Sequence, residues 1–173
     1  MAGAKPAAWG WYRLDRSWAE RLVHDAGIRP GHLVLDIGAG DGALTAPLVA
    51  AGARVIAFEL HPGRAAALRR RFAGDDVRVV QADARDLRLP RRPFHVVANP
   101  PWAITTPLLT RLLHPGSRLV RADLLLQRSA ATRWAGQIKA ATLGATVPRR
   151  AFRPSPPTDA RVLTILRPSA HRR

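Results

Sequence analysis

Three short apolar runs, 32–38 (HLVLDIG), 54–60 (RVIAFEL) and 77–83 (VRVVQAD), are separated by two segments with helical spacing, 42–52 and 62–72. Runs of this length, rich in Val, Ile and Leu, read as strands buried on both faces, and a helix between successive strands returns the chain to the same edge of a sheet. The alternation therefore calls for right-handed βαβ units around a parallel sheet, an α/β fold with helices on both faces. The pattern continues with a strand in 94–102 (FHVVANPPW), a helix in 106–113, a strand in 118–127 and a helix near 128–139. It then changes, because the runs 142–148 and 160–166 are joined by RRAFRPSPPTD, a Pro-rich connection too short for a helical crossover. Those two strands are expected to be antiparallel, giving a seven-strand, mostly parallel sheet with an antiparallel last strand. Residues 1–16 read as an N-terminal arm, 17–167 as one domain and 168–173 as a basic tail. Within the domain the first helix is expected over Ser17–Ala26, with Trp18, Leu22 and Val23 on one face and Asp15 as its cap.

The first of these strands ends in Asp36-Ile37-Gly38-Ala39-Gly40-Asp41-Gly42. Glycines at a strand-to-helix turn let a ligand approach the backbone, so this is a candidate cofactor site. Gly38, Gly40 and Ala43 satisfy the spacing of a dinucleotide fingerprint, and Glu59, at the end of the second strand, stands where ribose hydroxyls are gripped. Spacing alone does not separate a dinucleotide from S-adenosylmethionine. Charge does: Asp36 and Asp41 put negative charge where a pyrophosphate would lie, and a cationic sulfonium cofactor tolerates it. Asp83, closing the third strand, is placed to accept from an adenine amino group. The expected cofactor is S-adenosylmethionine, held by Asp36, Gly38, Ala39, Gly40, Glu59, Leu60, Asp83, Ala84 and Asn99.

Asn99-Pro100-Pro101-Trp102 follows the fourth strand and is the most specific chemical signal in the chain. The lone pair of an adenine amine is delocalised into the ring, so the nitrogen attacks only when acceptors hold its N–H bonds in a pyramidal geometry. The Asn99 side-chain oxygen and the Pro100 carbonyl can be those acceptors, and consecutive prolines fix the backbone so that they converge. Trp102 can stack on a base taken out of its helix and offer a π face to a sulfonium. No strong general base is needed, since methyl transfer leaves a cationic amine acidic enough to lose its proton to water.

Charge points to the partner. Lys and Arg number 28 against 12 Asp and Glu, a formal net charge of +16. Coding bias explains why only Lys5 and Lys139 are lysines, but not the excess of sign, which favours a nucleic-acid partner over a membrane surface. Arginine clusters at 69–71, 91–92 and 149–150 are candidate phosphate contacts. Cysteine is absent and the six His show no metal-ligand spacing, so no metal is expected. No run approaches the ~18 apolar residues of a membrane span, and the start lacks the apolar core of a signal peptide; the expected setting is the cytoplasm.

Together these residues resemble the Erm and KsgA group of rRNA adenine dimethyltransferases, over residues from about 10 to 167. Besides the segments above, Phe152-Arg153-Pro154-Ser155-Pro156-Pro157-Thr158-Asp159 resembles the family's Phe-x-Pro-x-Pro-x-Val-Asp segment. The resemblance implies a class I S-adenosylmethionine-dependent methyltransferase domain, Rossmann-like, acting on the N6 amine of an adenine. It also implies that Phe152 sandwiches the target base opposite Trp102. Two local departures stand out. Gly10-Trp11-Tyr12-Arg13-Leu14 replaces the family's Gln-Asn-Phe-Leu beside the cofactor carboxylate, leaving Arg13 as a possible partner there; and Trp102 replaces the usual Tyr or Phe, which keeps monomethylation and dimethylation equally open. The family's helical RNA-binding domain after the last strand is expected to be missing, and with the WGWYRL opening this most resembles the short Erm proteins of mycobacteria and other actinobacteria. The resemblance implies a monomer acting on 23S rRNA and lowering ribosomal affinity for macrolide-class antibiotics. A 16S substrate in the KsgA manner and an inactive RNA-binding module of the same fold are the alternatives.

Overall fold

The computed structural model describes residues 10–167. Its strands and helices alternate as β1 (Arg13–Leu14), α1 (Arg16–Asp25), β2 (Leu33–Ile37), α2 (Thr45–Ala50), β3 (Arg54–Glu59), α3 (Pro62–Arg71), β4 (Val77–Gln81), β5 (Phe94–Ala98), α4 (Thr105–Leu112), β6 (Leu119–Gln127), α5 (Arg128–Gln137), β7 (Ala141–Val147), β8 (Phe152–Arg153) and β9 (Ala160–Leu166). Every residue of β2 is buried: Val34 packs toward one face, Leu33, Leu35 and Ile37 toward the other. Such a strand needs cover on both sides. Ala19, Leu22 and Val23 of α1, Leu48 of α2 and Leu68 of α3 provide it on one face; Leu108, Leu109 and Leu112 of α4 and Ala131 of α5 provide it on the other.

The seven-strand sheet has the order β4-β3-β2-β5-β6-β9-β7. Strands β2 to β6 are mutually parallel, and β9 runs antiparallel to both β6 and β7. This is the expected sheet, including the antiparallel pair on either side of the Pro-rich connection. Where β4 crosses to β5, a single 3-10 turn at Ala84–Asp86 and an extended segment stand in place of a helix.

A second sheet was not expected. β1 and β8 form a two-residue antiparallel ladder, Arg13 opposite Arg153 and Leu14 opposite Phe152, which ties the start of the described chain to the Pro-rich segment. Asp15 occupies the N-cap position of α1, but its side chain makes no capping bond; its backbone N–H instead donates to the Ala151 carbonyl at 2.8 Å. Tertiary pairing has taken the place of the local cap. Most of the arm before Gly10 and the tail 168–173 lie outside the described residues. Among the described residues, no helix is long and apolar enough to cross a membrane.

Candidate active site

The C-terminal ends of β2 to β6 meet at one edge, where ligands of open α/β sheets bind. After β2 the backbone turns through Gly38 and Gly40, at φ of 76° and 60°, in the left-handed region that side chains avoid. The Gly38 and Ala39 N–H groups both donate to the Phe58 carbonyl, at 2.9 and 3.0 Å, which pins the turn to β3. A Cβ on Gly38 would lie 2.9 Å from Pro101 Cδ, so the glycine turn and the Pro-Pro loop share a wall that only a hydrogen side chain permits. A Cβ on Gly40 would overlap the Trp11 indole.

Each carboxylate at this edge is engaged by a neighbour. Asp36 is buried, accepts from Thr45 Oγ1 at 2.7 Å and is pushed up to about 7, chiefly by burial, with Glu59 and Asp41 adding to the rise. Glu59, also buried, accepts from the backbone N–H of Gly40 and of His61, both at 2.8 Å, and from Arg64 Nη2 at 3.2 Å. Asp83 takes Arg85 Nη2 at 2.6 Å and the Arg85 N–H at 2.9 Å, and the Arg85 side chain holds it below the usual carboxylate range. Asp41 is ion-paired through Oδ2 with Arg13 Nε, which ties Arg13 to the turn, while Asp41 Oδ1 is buried without a partner among the described residues. These pairings make the turn less negative than a count of acids suggests, and charge alone argues less strongly against a pyrophosphate here than the sequence does.

A cavity of about 320 Å³ lies beside the turn, and Gly38, Glu59, Leu60, Asp83 and Ala84 of the expected cofactor set line it. Asp36, Gly38, Ala39 and Asn99 line a second space of about 10 Å³. Trp11 borders both, and the Arg64 guanidinium lies 4.9 Å from the centre of its ring. Trp11 and Arg64 were missed in the sequence. The arm has no periodicity to assign Trp11, and Arg64 reaches Glu59 only because α3 starts immediately after β3, its first turn capped by His61 Nδ1 accepting from the N–H groups of Gly63 and Arg64.

Beside the shared wall, Asn99 Nδ2 donates to the Tyr12 carbonyl at 2.8 Å, which fixes the amide and leaves Oδ1 as its acceptor. The ring of Trp102 lies 5.4 Å from that of Tyr12, tilted by 42°. Its Nε1 is buried without a hydrogen-bond partner among the described residues. Phe152, expected opposite Trp102 as the second face of a base sandwich, is 0% exposed and belongs to the core that also packs Leu14, Val147 and Val162. In this conformation it presents no face to a base. Pairing of β8 with β1 draws it inward, and Tyr12 is the aromatic in contact with Trp102.

The strand order, with β9 between β6 and β7 and a glycine turn after β2, defines a class I S-adenosylmethionine-dependent methyltransferase fold. The 23S rRNA methyltransferase ErmE superposes with a TM-score of 0.82 at 27% identity, over 91% of this chain and 70% of that one. A ribosomal RNA adenine dimethylase family model matches residues 11–172, and the chain belongs to that family. The mycinamicin-resistance protein MyrB of Micromonospora griseorubida is 40% identical over 172 residues, 92% of this chain and 54% of MyrB. The ribosomal RNA small subunit methyltransferase A of Thermosynechococcus vestitus is 35% identical over 181 residues, 91% of this chain and 67% of that protein. The chain thus spans about half the length of the first of these relatives and two thirds of the second.

Proposed function

We propose that the chain transfers methyl groups from S-adenosylmethionine to the exocyclic N6 amine of an adenine in 23S rRNA, as a monomer in the cytoplasm, and so confers macrolide, lincosamide and streptogramin resistance. The observation that carries this reading is the fixed Asn99 amide: with Nδ2 committed to the Tyr12 carbonyl, Oδ1 is the acceptor left for an incoming amine, beside the wall shared with the cofactor turn.

The residues fit that donor. A cradle closed to any Cβ at Gly38, with the Glu59 and Asp83 carboxylates on the walls of the adjoining cavity, suits a nucleoside. Glu59 would hold the ribose hydroxyls, Asp83 the adenine amine, and Leu60 and Ala84 the faces of the adenine. Asp36, Gly38, Ala39 and Gly40 would surround the methionyl end, and Trp11 would shift to widen the small space beside them. When bound, the donor supplies an electrophilic methyl on a cationic sulfur. Everything else is positioning: Asn99 Oδ1 and the Pro100 carbonyl take the two amine hydrogens, and Trp102 and Tyr12 supply rings beside the target base. Phe152 supports those rings from the core, and proton loss to water completes the transfer. Residues 17–167 would form the catalytic domain, with residues 10–16 completing its wall.

ErmE is named a 23S rRNA methyltransferase and MyrB a mycinamicin-resistance protein, which supports this reading. The Thermosynechococcus relative keeps a 16S substrate as a second reading. The intact Asn99-Pro100-Pro101-Trp102 loop argues against an inactive RNA-binding module. The test is transfer of labelled methyl groups to protein-free 23S and 16S rRNA, intact subunits and DNA, followed by mapping of the modified nucleotide. Label on an adenine of the 23S peptidyl-transferase region is the expected result; label confined to 16S rRNA would replace the substrate, and no transfer to any RNA would overturn the activity.

A further inference from the structure

The crossover from β4 to β5 lays an extended segment along α4, and between them lies a groove of about 780 Å³. Its floor is apolar, from Leu87, Leu89, Pro90 and Pro107, and Arg85, Arg88, Arg91, Arg111 and His114 contribute cationic or titratable side chains to its walls. No carboxylate lines it. Two of the arginines have structural duties: Arg85 is held by Asp83, and Arg111 Nη1 donates to the Leu87 carbonyl at 2.9 Å. Arg88 and Arg91 are exposed and held by no hydrogen bond or ion pair among the described residues. His114 Nδ1 accepts from the Gly116 N–H at 3.1 Å. The groove is continuous with the site, because Arg85 also lines the cofactor cavity and α4 begins three residues after Trp102.

A concave cationic wall over an apolar floor complements a polyanion with flat apolar faces, which describes single-stranded RNA. We propose that this groove holds the RNA strand flanking the target adenine, with Arg88 and Arg91 on its phosphates and a neighbouring nucleotide against Leu89, Pro90 and Pro107. The inference rests on the RNA reading above and adds the path of the strand to it. It absorbs one of the three arginine clusters marked in the sequence, through Arg91. Of the other two, Arg71 is bonded to the Asp41 carbonyl and Arg149 to its own loop at Ser155 and Pro157.

The test compares Arg88→Ala/Arg91→Ala with Arg29→Ala/Arg78→Ala, a control pair that removes the same charge from exposed arginines outside the groove. Binding of a transcript of the 23S peptidyl-transferase region is measured by fluorescence anisotropy over a range of salt concentrations, with S-adenosylmethionine binding measured in parallel. The groove pair is expected to lower the slope of log affinity against log salt by about 1.4, the contribution of two phosphate contacts to a single strand, and to weaken binding about tenfold at moderate salt. The control pair is expected to change both far less, and cofactor binding is expected to stay unchanged in every variant. Equal losses in the two pairs, or no loss in the groove pair, would overturn the groove while leaving the RNA reading intact. A wild-type protein that neither binds nor methylates this transcript or 16S rRNA would overturn both.

Discussion

The glycine-turn side and the proline-loop side of the site share a wall at Gly38 and Pro101, yet they satisfy their polar groups differently. On the cofactor side the chain gives every carboxylate a partner, Thr45 for Asp36, Arg13 for Asp41, Arg64 for Glu59 and Arg85 for Asp83, although Asp41 Oδ1 and Arg64 Nε are buried without partners among the described residues. On the target side the partners are incomplete. The donor of Asn99 is committed but its acceptor is not, and Trp102 Nε1 is buried without an acceptor among the described residues. On the reading proposed above, folding supplies the counter-charges of the first side, whereas the open acceptor of the second waits for an entering base. Mutations should therefore separate the two.

The sharpest separation is expected from Asn99→Ala. Losing an acceptor aimed at the reacting amine should lower methyl transfer by about 100- to 1,000-fold, while S-adenosylmethionine affinity changes only severalfold, read by single-turnover transfer and calorimetry. Equal loss in both would mean that Asn99 serves the two sides alike.

Phe152 tests whether the target side has its own supporting core. Because the ring is 0% exposed, Phe152→Ala should cost about 3–5 kcal/mol of stability in denaturant unfolding, a cavity effect rather than a lost stacking contact. Phe152→Leu should cost less than about 1.5 kcal/mol and leave the KM for RNA nearly unchanged. A large rise in that KM with stability preserved would show Phe152 turning outward to meet the base, as the family resemblance implies.

The last effect is one of pH and belongs to Asp36, whose carboxyl is raised from 3.8 to about 7, chiefly by burial. A carboxyl raised in the fold favours the protonated state, so its contribution to stability is full below about 4 and is lost as pH climbs through about 7. Asp36→Asn should remove that slope between about pH 4 and pH 7 while keeping an acceptor for Thr45. A slope unchanged in the variant would assign the titration to another group.

Most of the sheet was legible because its central strands are buried on both faces and so read as continuous apolar runs; even the antiparallel pair followed from the length of the connection between 148 and 160. The carboxylates of the cofactor side were equally legible, since Asp36, Glu59 and Asp83 each stand at or within two residues of a strand's end. Their counter-charges were not. Arg13, Arg64 and Arg85 lie 28, 5 and 2 residues from the acids they hold, spacings that carry no signal until the backbone is in place. The β1–β8 ladder escaped for a related reason: two residues leave no period, and its partners lie 140 positions apart. That pairing is what drew Phe152 into the core and left Tyr12 beside Trp102.

The position of β9 also orders events in time. Strands β2 to β6 are complete by Gln127, but β7 touches the sheet only through β9, which comes after it in the chain. The segment carrying Phe152 hangs between those two strands, and β1 pairs with nothing until β8 is in position. Closure of this region requires contacts far apart in sequence, the slow kind in folding. A growing chain can therefore shape the glycine-turn edge while the edge beside the Pro-Pro loop is still open, and the two meet in final form only when one late strand inserts.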